Sequence, residues 1–386
     1  MIRILVLAAV CAGSLLAQFG DDVSFLRKHT EVVLLSDRAG RAQVAVVPAW
    51  QGRVMTSTDG GADGKSYGWI NRDLIASKKL VPHMNPFGGE DRFWLGPEGG
   101  QFSIFFAKGA AFDLANWQTP APIDSESYAV AGKARDRVRF ARKMRLTNYS
   151  GTTFDLSVDR EVRVLEADEI WKQLGVGSAA GVTAVGFASN NRITNAGTSA
   201  WTEKTGLLSV WILGMFNASP TTTVVIPLQP GAGAGVTDDY FGKVPVARLA
   251  SDGKTAFFRG DGKFRSKIGV GPERAKNVLG SYDPKSGVLT VVQFTLPAGA
   301  RRYVNSQWKL QDAPFAGDVI NSYSDEGKMG AFYEMETSSP AAALGAGESL
   351  EHVHRTMHFR GSPAALEGIA KAVFGVGLER IRTALP

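Results

Sequence analysis

Cysteine is all but missing from this chain: the single one, Cys11, lies inside the first 17 residues. Residues 18–386 therefore form no disulfide, offer no thiol nucleophile and give no thiolate to a zinc or iron–sulfur site. Histidine is scarce as well, at five residues. Beyond the first 17 residues no apolar run is long enough to span a bilayer, and no Pro/Gly/Ser-rich linker, internal repeat or low-complexity tract divides the rest. The one glycine run, at 231–235, is not followed by a Lys-Ser/Thr pair opening a helix, so phosphate binding of the P-loop kind is not expected. Charge of one sign is not in large excess either. The net charge is +6, one unit of which belongs to Arg3.

What is present reads as mainly β. The 44 glycines and 17 prolines are spread as punctuation between short apolar runs, as many strands joined by tight turns require. Residues 1–17 have the form of a cleavable export signal: Arg3 as the positive start, an apolar stretch from Ile4 to Leu16 too short for a membrane span, and Ala17 as a small residue suited to cleavage. The expected mature chain starts at Gln18 and forms one domain over 18–386, periplasmic or secreted, with no transmembrane segment after cleavage. Export without disulfides fits a bacterial periplasm, because a core of this size needs no covalent staples.

The basic residues are diffuse. Arg135, Arg137, Arg139, Arg142, Lys143 and Arg145 lie along an alternating strand with Val138, Phe140, Met144 and Leu146 on the other side, which describes a strand with one solvated face. No aromatics interleave with those cations, so a nucleic-acid partner is not expected. The run 135–166 holds two alternating strands, expected to be antiparallel neighbours. Further strands are expected at 31–35, 43–47, 51–58, 101–106, 184–194, 207–213, 222–228 and 288–296, the last apolar on both faces and so sandwiched between layers. A short helix is expected around 23–28. A C-terminal helix is expected over 362–385, with Ser362 as N-cap, Pro363 in the first turn, and a stripe of Leu366, Ile369, Val373 and Phe374 packing across the sandwich end.

Residues 82–101 concentrate charged, aromatic and turn-forming side chains. Two Gly-Gly pairs and three prolines forbid a helix and bracket one short strand, so His83, Glu90, Asp91, Arg92, Trp94 and Glu98 are presented from turns beside it. A carboxylate, a guanidinium and an indole side by side suit a sugar, whose hydroxyls donate and accept and whose C–H face lies on an aromatic ring. The competing reading is a structural ion pair beneath a buried Trp94.

Two polar strands lie near the C-terminus. In one, Phe332, Glu334 and Glu336 share a face; in the other, His352, His354, Thr356 and His358 face opposite to Val353, Met357 and Phe359. Side chains two apart on a strand sit about 6.6 Å from each other. His352 and His354 could thus hold one metal if His83 or Glu336 approached, but the spacing is unspecific and no metal site is assigned. No cofactor is expected. Trp69, Trp94, Trp211 and Trp308 are stacking candidates, and Trp308 alternates with the polar Asn305 and Gln307 in a way that places it and Asn305 near a groove.

The order of an early Gln51-Gly-Arg-Val strand, a Gly-Gly loop before an aromatic strand, a Thr194-Asn-Ala-Gly197 turn, Met335-Glu-Thr337 before Pro340, and Leu344-Gly-Ala-Gly-Glu348 resembles the galactose mutarotase-like proteins, related to aldose 1-epimerases. A further likeness, through Gly89-Glu-Asp-Arg-Phe-Trp94, is to a secreted bacterial branch of that group without an assigned activity. The resemblance implies a β-supersandwich of antiparallel sheets with a saccharide in a concave sheet face. It implies Glu336 as general base on an anomeric hydroxyl. The histidines that serve the mutarotases are replaced here, by 209–216 (Ser-Val-Trp-Ile-Leu-Gly-Met-Phe) and by Phe87-Gly-Gly89, so the acid is expected to be His83, His352 or His354. Substrate contacts are expected from Glu90, Asp91, Arg92, Trp94, Glu98, Asn305, Trp308 and His354. Three readings follow: an epimerase-like enzyme, or a lyase-like one with Arg92 holding a uronate; a periplasmic glycan-binding protein that has lost the acid; and a scaffold subunit. The first two take a saccharide ligand.

Overall fold

A computed structural model describes residues 18–386; the expected export signal at 1–17 lies outside them. Three antiparallel sheets make up the architecture. The largest has ten strands, from one edge to the other Leu249–Ser251, Thr255–Arg259, Thr223–Pro227, Val278–Asp283, Val288–Phe294, Ser349–Arg360, Thr183–Asn195, Thr153–Val164, Arg137–Thr147 and Ala129–Lys133. A five-stranded sheet faces it, ordered Ser266–Val270, Ile320–Ser324, Phe332–Ser338, Ser209–Asn217 and Arg92–Gly96. A small sheet of Val33–Ser36, Gln43–Val47 and Arg53–Thr58 adjoins them.

Alternation explains most of these strands. Arg137–Thr147 and Thr153–Val164 pair antiparallel along their length, burying Val138, Phe140, Phe154, Leu156, Val158 and Val162 while Arg137, Arg139 and Arg145 stay exposed and Arg160 turns inward. Val288–Phe294 is buried on both faces: Leu289 and Val291 meet the C-terminal helices, and Val292 and Phe294 meet the five-stranded sheet. The Gln51-Gly52 turn that starts Arg53–Thr58 has left-handed backbone at both residues (φ 61° and 62°). A Cβ at Gly52 would lie 2.5 Å from the Phe140 ring, so only glycine fits there.

Four expectations need correction. The segment 101–106 is not a strand. Its chain turns back through the Ser103 amide on the Gly100 carbonyl, and its aromatic residues pack in a loop, Phe105 stacking on Trp117 at 5.9 Å. The C-terminal helix is two, Pro363–Phe374 and Leu378–Thr383, because Gly375 is left-handed (φ 74°) and ends the first. Ser362 does cap it, accepting from the Ala365 amide. The two helices cover the outer face of the ten-stranded sheet, against Tyr282, Leu289, Val291, Met357 and Phe359, rather than the sandwich end. Ala167–Leu174, closed by a Glu166/Glu169 capping box, is a further helix, and the N-terminal helix starts earlier than expected, at Phe19.

Candidate functional site

The site is built by alternation on the five-stranded sheet. On Phe332–Ser338, Tyr333 and Thr337 point into the sandwich, where Tyr333 Oη meets Ser281 Oγ at 2.7 Å and Thr337 meets two histidines. Phe332, Glu334 and Glu336 therefore take the opposite face. Strand register aligns Glu334 with Tyr323 on one side and Met215 on the other, and Glu336 with Asn321 and Leu213. Arg92 is in register with Leu213 and Trp94 with Trp211, while Lys267 is in register with Tyr323. One row thus runs Arg92, Leu213, Glu336, and the next Met215, Glu334, Tyr323, Lys267.

The charges pair diagonally across these rows. Arg92 Nη2 donates to Glu334 Oε1 at 3.1 Å and Lys267 Nζ to Glu336 Oε2 at 2.9 Å. Both pairs are buried, no side chain in them being more than 9% exposed. Each cation also lies over an indole: the Arg92 guanidinium is 4.1 Å from the Trp94 ring centroid and the Lys267 ammonium 4.7 Å from that of Trp211. Trp211 Nε1 donates to the same Glu336 oxygen at 2.9 Å. The other oxygen, Glu336 Oε1, is buried with no hydrogen-bond partner, as are Trp94 Nε1 and Trp117 Nε1.

Burial shapes the electrostatics. The Glu334 carboxyl is pushed up to about 7, mainly by desolvation, with Arg92 opposing and Glu336 reinforcing the shift. Burial raises Glu98 too, against the pull of Lys267 and with the help of Glu336. For Lys267 burial acts against the ammonium, but Glu336 and then Glu98 outweigh it and the pKa ends above its usual value.

Over this floor opens a cavity of 380 Å³, within the range of small-molecule sites. Its walls are aromatic and apolar: Trp94, Trp117, Trp211, Trp308, Phe241, Phe332, Tyr323, Leu114, Met84 and Met329. Trp308 is only partly buried and stacks on Trp117 at 5.7 Å.

Of the residues singled out in the sequence, Arg92, Trp94, Glu98, Trp211, Trp308, Phe332 and Glu334 line this cavity, with Glu336 bonded to its wall residues Lys267 and Trp211. The others lie elsewhere. Glu90 and Asp91 turn into the interior, where Glu90 Oε2 is 2.6 Å from His358 Nε2 and 3.0 Å from Ser57 Oγ, and Asp91 accepts from Arg160 at 2.5 Å; neither pair is exposed beyond 1%. Both are structural contacts, that of Asp91 with Arg160 a buried ion pair.

His352 and His354 are fully buried on the far side of the sheet, Nε2 of one and Nδ1 of the other each 2.9 Å from Thr337 Oγ1. Alternation on the His352 strand holds as expected, but that face meets the sheet in front of it and does not open into the groove. Burial lowers their pKa values to about 3 and about 4. His83 has left-handed backbone (φ 70°) and its Nδ1 lies 2.6 Å from the Trp117 carbonyl oxygen, outside the cavity lining. Asn305 accepts from the Gln307 amide at 3.0 Å and shapes a loop. None of the three histidines proposed as the acid contacts Glu336, whose partners are Lys267 and Trp211.

Sequence reasoning missed Lys267, Trp117 and the role of Glu334. The signal for Lys267 was a lysine inside the alternating strand Ser266–Val270, opposite in phase to the buried Ile268 and Val270. Among the described residues no three His, Cys, Asp or Glu side chains cluster as a metal site, and no helix is long and apolar enough to cross a membrane.

A model of the family described as "Family of unknown function (DUF6786)" matches residues 17–385. No curated protein matches the sequence. Among solved structures, a provisionally named aldose 1-epimerase from Escherichia coli K12 aligns with 86% of this chain and 99% of its own, at 14% identity and TM-score 0.52. The Slr1438 protein of Synechocystis sp. PCC 6803 aligns with 86% of this chain and 96% of its own, at 13% identity and TM-score 0.50. At such identities the likeness is one of fold. The mainly antiparallel β-sandwich is that of the aldose 1-epimerase and galactose mutarotase-like proteins.

Proposed function

Because the chain belongs to this family of unknown function, we propose from the groove itself that it is an exported carbohydrate-binding protein seating a saccharide on the outer face of the five-stranded sheet. The observation that carries the reading is Glu336 Oε1, a buried carboxylate oxygen without a partner beneath an aromatic-walled cavity. Leaving such an acceptor unpaired costs about 1–3 kcal/mol or more, which a ligand hydroxyl recovers. The unpartnered Nε1 groups of Trp94 and Trp117 offer donors to the same ligand. The partly exposed Trp308 gives its C–H face a platform. Export rests on the leader pattern of residues 1–17 and on the lack of cysteine after it.

A second reading, proton transfer on the bound sugar, is favoured by the Glu334/Glu336 pair. Glu336 accepts from Lys267 and Trp211 through one oxygen and has the other free to take a proton, and Glu334, raised to about 7, carries a proton near neutrality and can donate it. That pair replaces the histidines expected from sequence. A lyase that grips a uronate through Arg92 is less well supported, since Glu334 already occupies that guanidinium. Calorimetry with neutral, amino, acidic and oligomeric sugars tests the binding reading, which predicts saturable binding that Trp308→Ala weakens. Failure of every sugar to bind overturns it. Polarimetry of the bound sugars separates enzyme from binder.

A further inference from the structure

The two floor cations are already committed: Arg92 to Glu334 and Lys267 to Glu336. Glu98 adds a third carboxylate to this floor with no cation of its own. At the rim Lys328 pairs with Glu326 at 2.7 Å. Asp325 is buried and held by the Tyr323 hydroxyl and two backbone amides. Arg265 is exposed, its guanidinium 3.8 Å from the Phe241 ring centroid. With the two floor pairs and the rim pair each closed on themselves, Glu98 is the floor carboxylate left without a salt-bridge partner. This surplus lies among indole faces that favour positive charge.

We infer that the groove selects a positively charged saccharide, a sugar with a free ammonium group, over neutral and acidic ones. The inference rests on the saccharide reading and adds the charge class of the ligand. An ammonium placed between Trp308 and the floor is attracted by Glu98 and by the free oxygen of Glu336, at an effective dielectric well below that of water. A uronate carboxylate meets the same surplus as repulsion, and its natural partner, Arg92, is taken.

The test compares glucosamine with glucose, N-acetylglucosamine and glucuronate by calorimetry on the wild-type protein near pH 6.5, where the amine is charged. Glucosamine is expected to bind at least about tenfold more tightly than glucose, a difference of about 1.4 kcal/mol. N-acetylation, which removes the charge, should abolish the advantage, and glucuronate should bind most weakly. Glu98→Gln should bring the glucosamine-to-glucose affinity ratio toward one. Neutral sugars binding as tightly as glucosamine, glucuronate binding tightest, or an unchanged ratio in folded Glu98→Gln protein would each overturn the charge inference while leaving the saccharide reading intact. Binding of no sugar of any charge fails the saccharide reading, and this inference with it.

Discussion

Exchanging Glu336 for glutamine keeps the shape of the groove floor and removes one charge. In the native protein the Lys267 ammonium, about 7% exposed, has Glu336 as its hydrogen-bonded counter-ion at 2.9 Å. Glutamine can still accept from Trp211 Nε1 and from one ammonium proton, but the lysine is left as a buried cation with Glu98 and Glu334, neither hydrogen-bonded to it, to oppose it. Breaking one side of a buried pair costs about 3–5 kcal/mol, whereas replacing both sides with groups of similar shape costs much less.

Glu336→Gln and Lys267→Met should each destabilise by about 3 kcal/mol or more, and the double variant by less than their sum, with a coupling of about 2–3 kcal/mol. Urea unfolding followed by tryptophan fluorescence measures all four corners of the cycle. The pH dependence follows from the sign of the lysine shift. With Glu336 present the folded pKa is raised above the unfolded value, so the pair's stabilisation is complete below the unfolded pKa and is lost only as pH rises through the folded one. Without Glu336 burial prevails and lowers the folded pKa, so the deficit of Glu336→Gln relative to wild type should shrink as pH rises toward 10. A Glu336→Gln protein within about 1 kcal/mol of wild type, or singles that simply add, would refute the argument that this pair is buried and coupled.

The platform prediction separates two tryptophans: Trp308→Ala should weaken sugar binding by about 1–3 kcal/mol with little loss of melting temperature, and Trp94→Ala, 2% exposed, should also destabilise by about 3–5 kcal/mol; calorimetry and thermal unfolding read the two effects. His352 and His354 stay neutral when folded, with pKa values of about 3 and about 4, and take protons near 6.5 when unfolded. Each should therefore remove about 1.4 kcal/mol of stability per pH unit as pH falls from about 6 toward 4. Replacing both by glutamine should flatten urea-derived stability over that range relative to wild type; an unaltered slope would show that they titrate alike in both states. For export, mass spectrometry of periplasmic protein should find an N-terminus near Gln18, against recovery of the full-length chain from the cytoplasm.

Alternation is a local property of the extended backbone, so it could be read without knowing what lay on either side. That is why the shared face of Glu334 and Glu336 and the in-phase histidines at 352, 354 and 358 were legible; the doubly buried Val288–Phe294 strand and the Ser362 cap were legible from other local signals, an unbroken apolar run and a serine before a proline. The class of fold followed from many such strands in order. Which way each face looks was not legible, because sheet order decides it: the histidine face meets Thr337 of a strand in another sheet, and only then does it become interior rather than groove. Glu90 and Asp91 stand next to Arg92 in the chain, yet their bonds with Val54 on the small sheet turn them inward while Arg92 turns out. The partner of Glu336 is Lys267, 69 residues away in sequence, on a strand separated from it by another. Periodicity is set by bond geometry along the chain and was therefore determined by the sequence alone. Ion-pair partners, burial and the resulting carboxyl pKa values depend on which strands lie side by side and what covers them, and only the tertiary structure decided those.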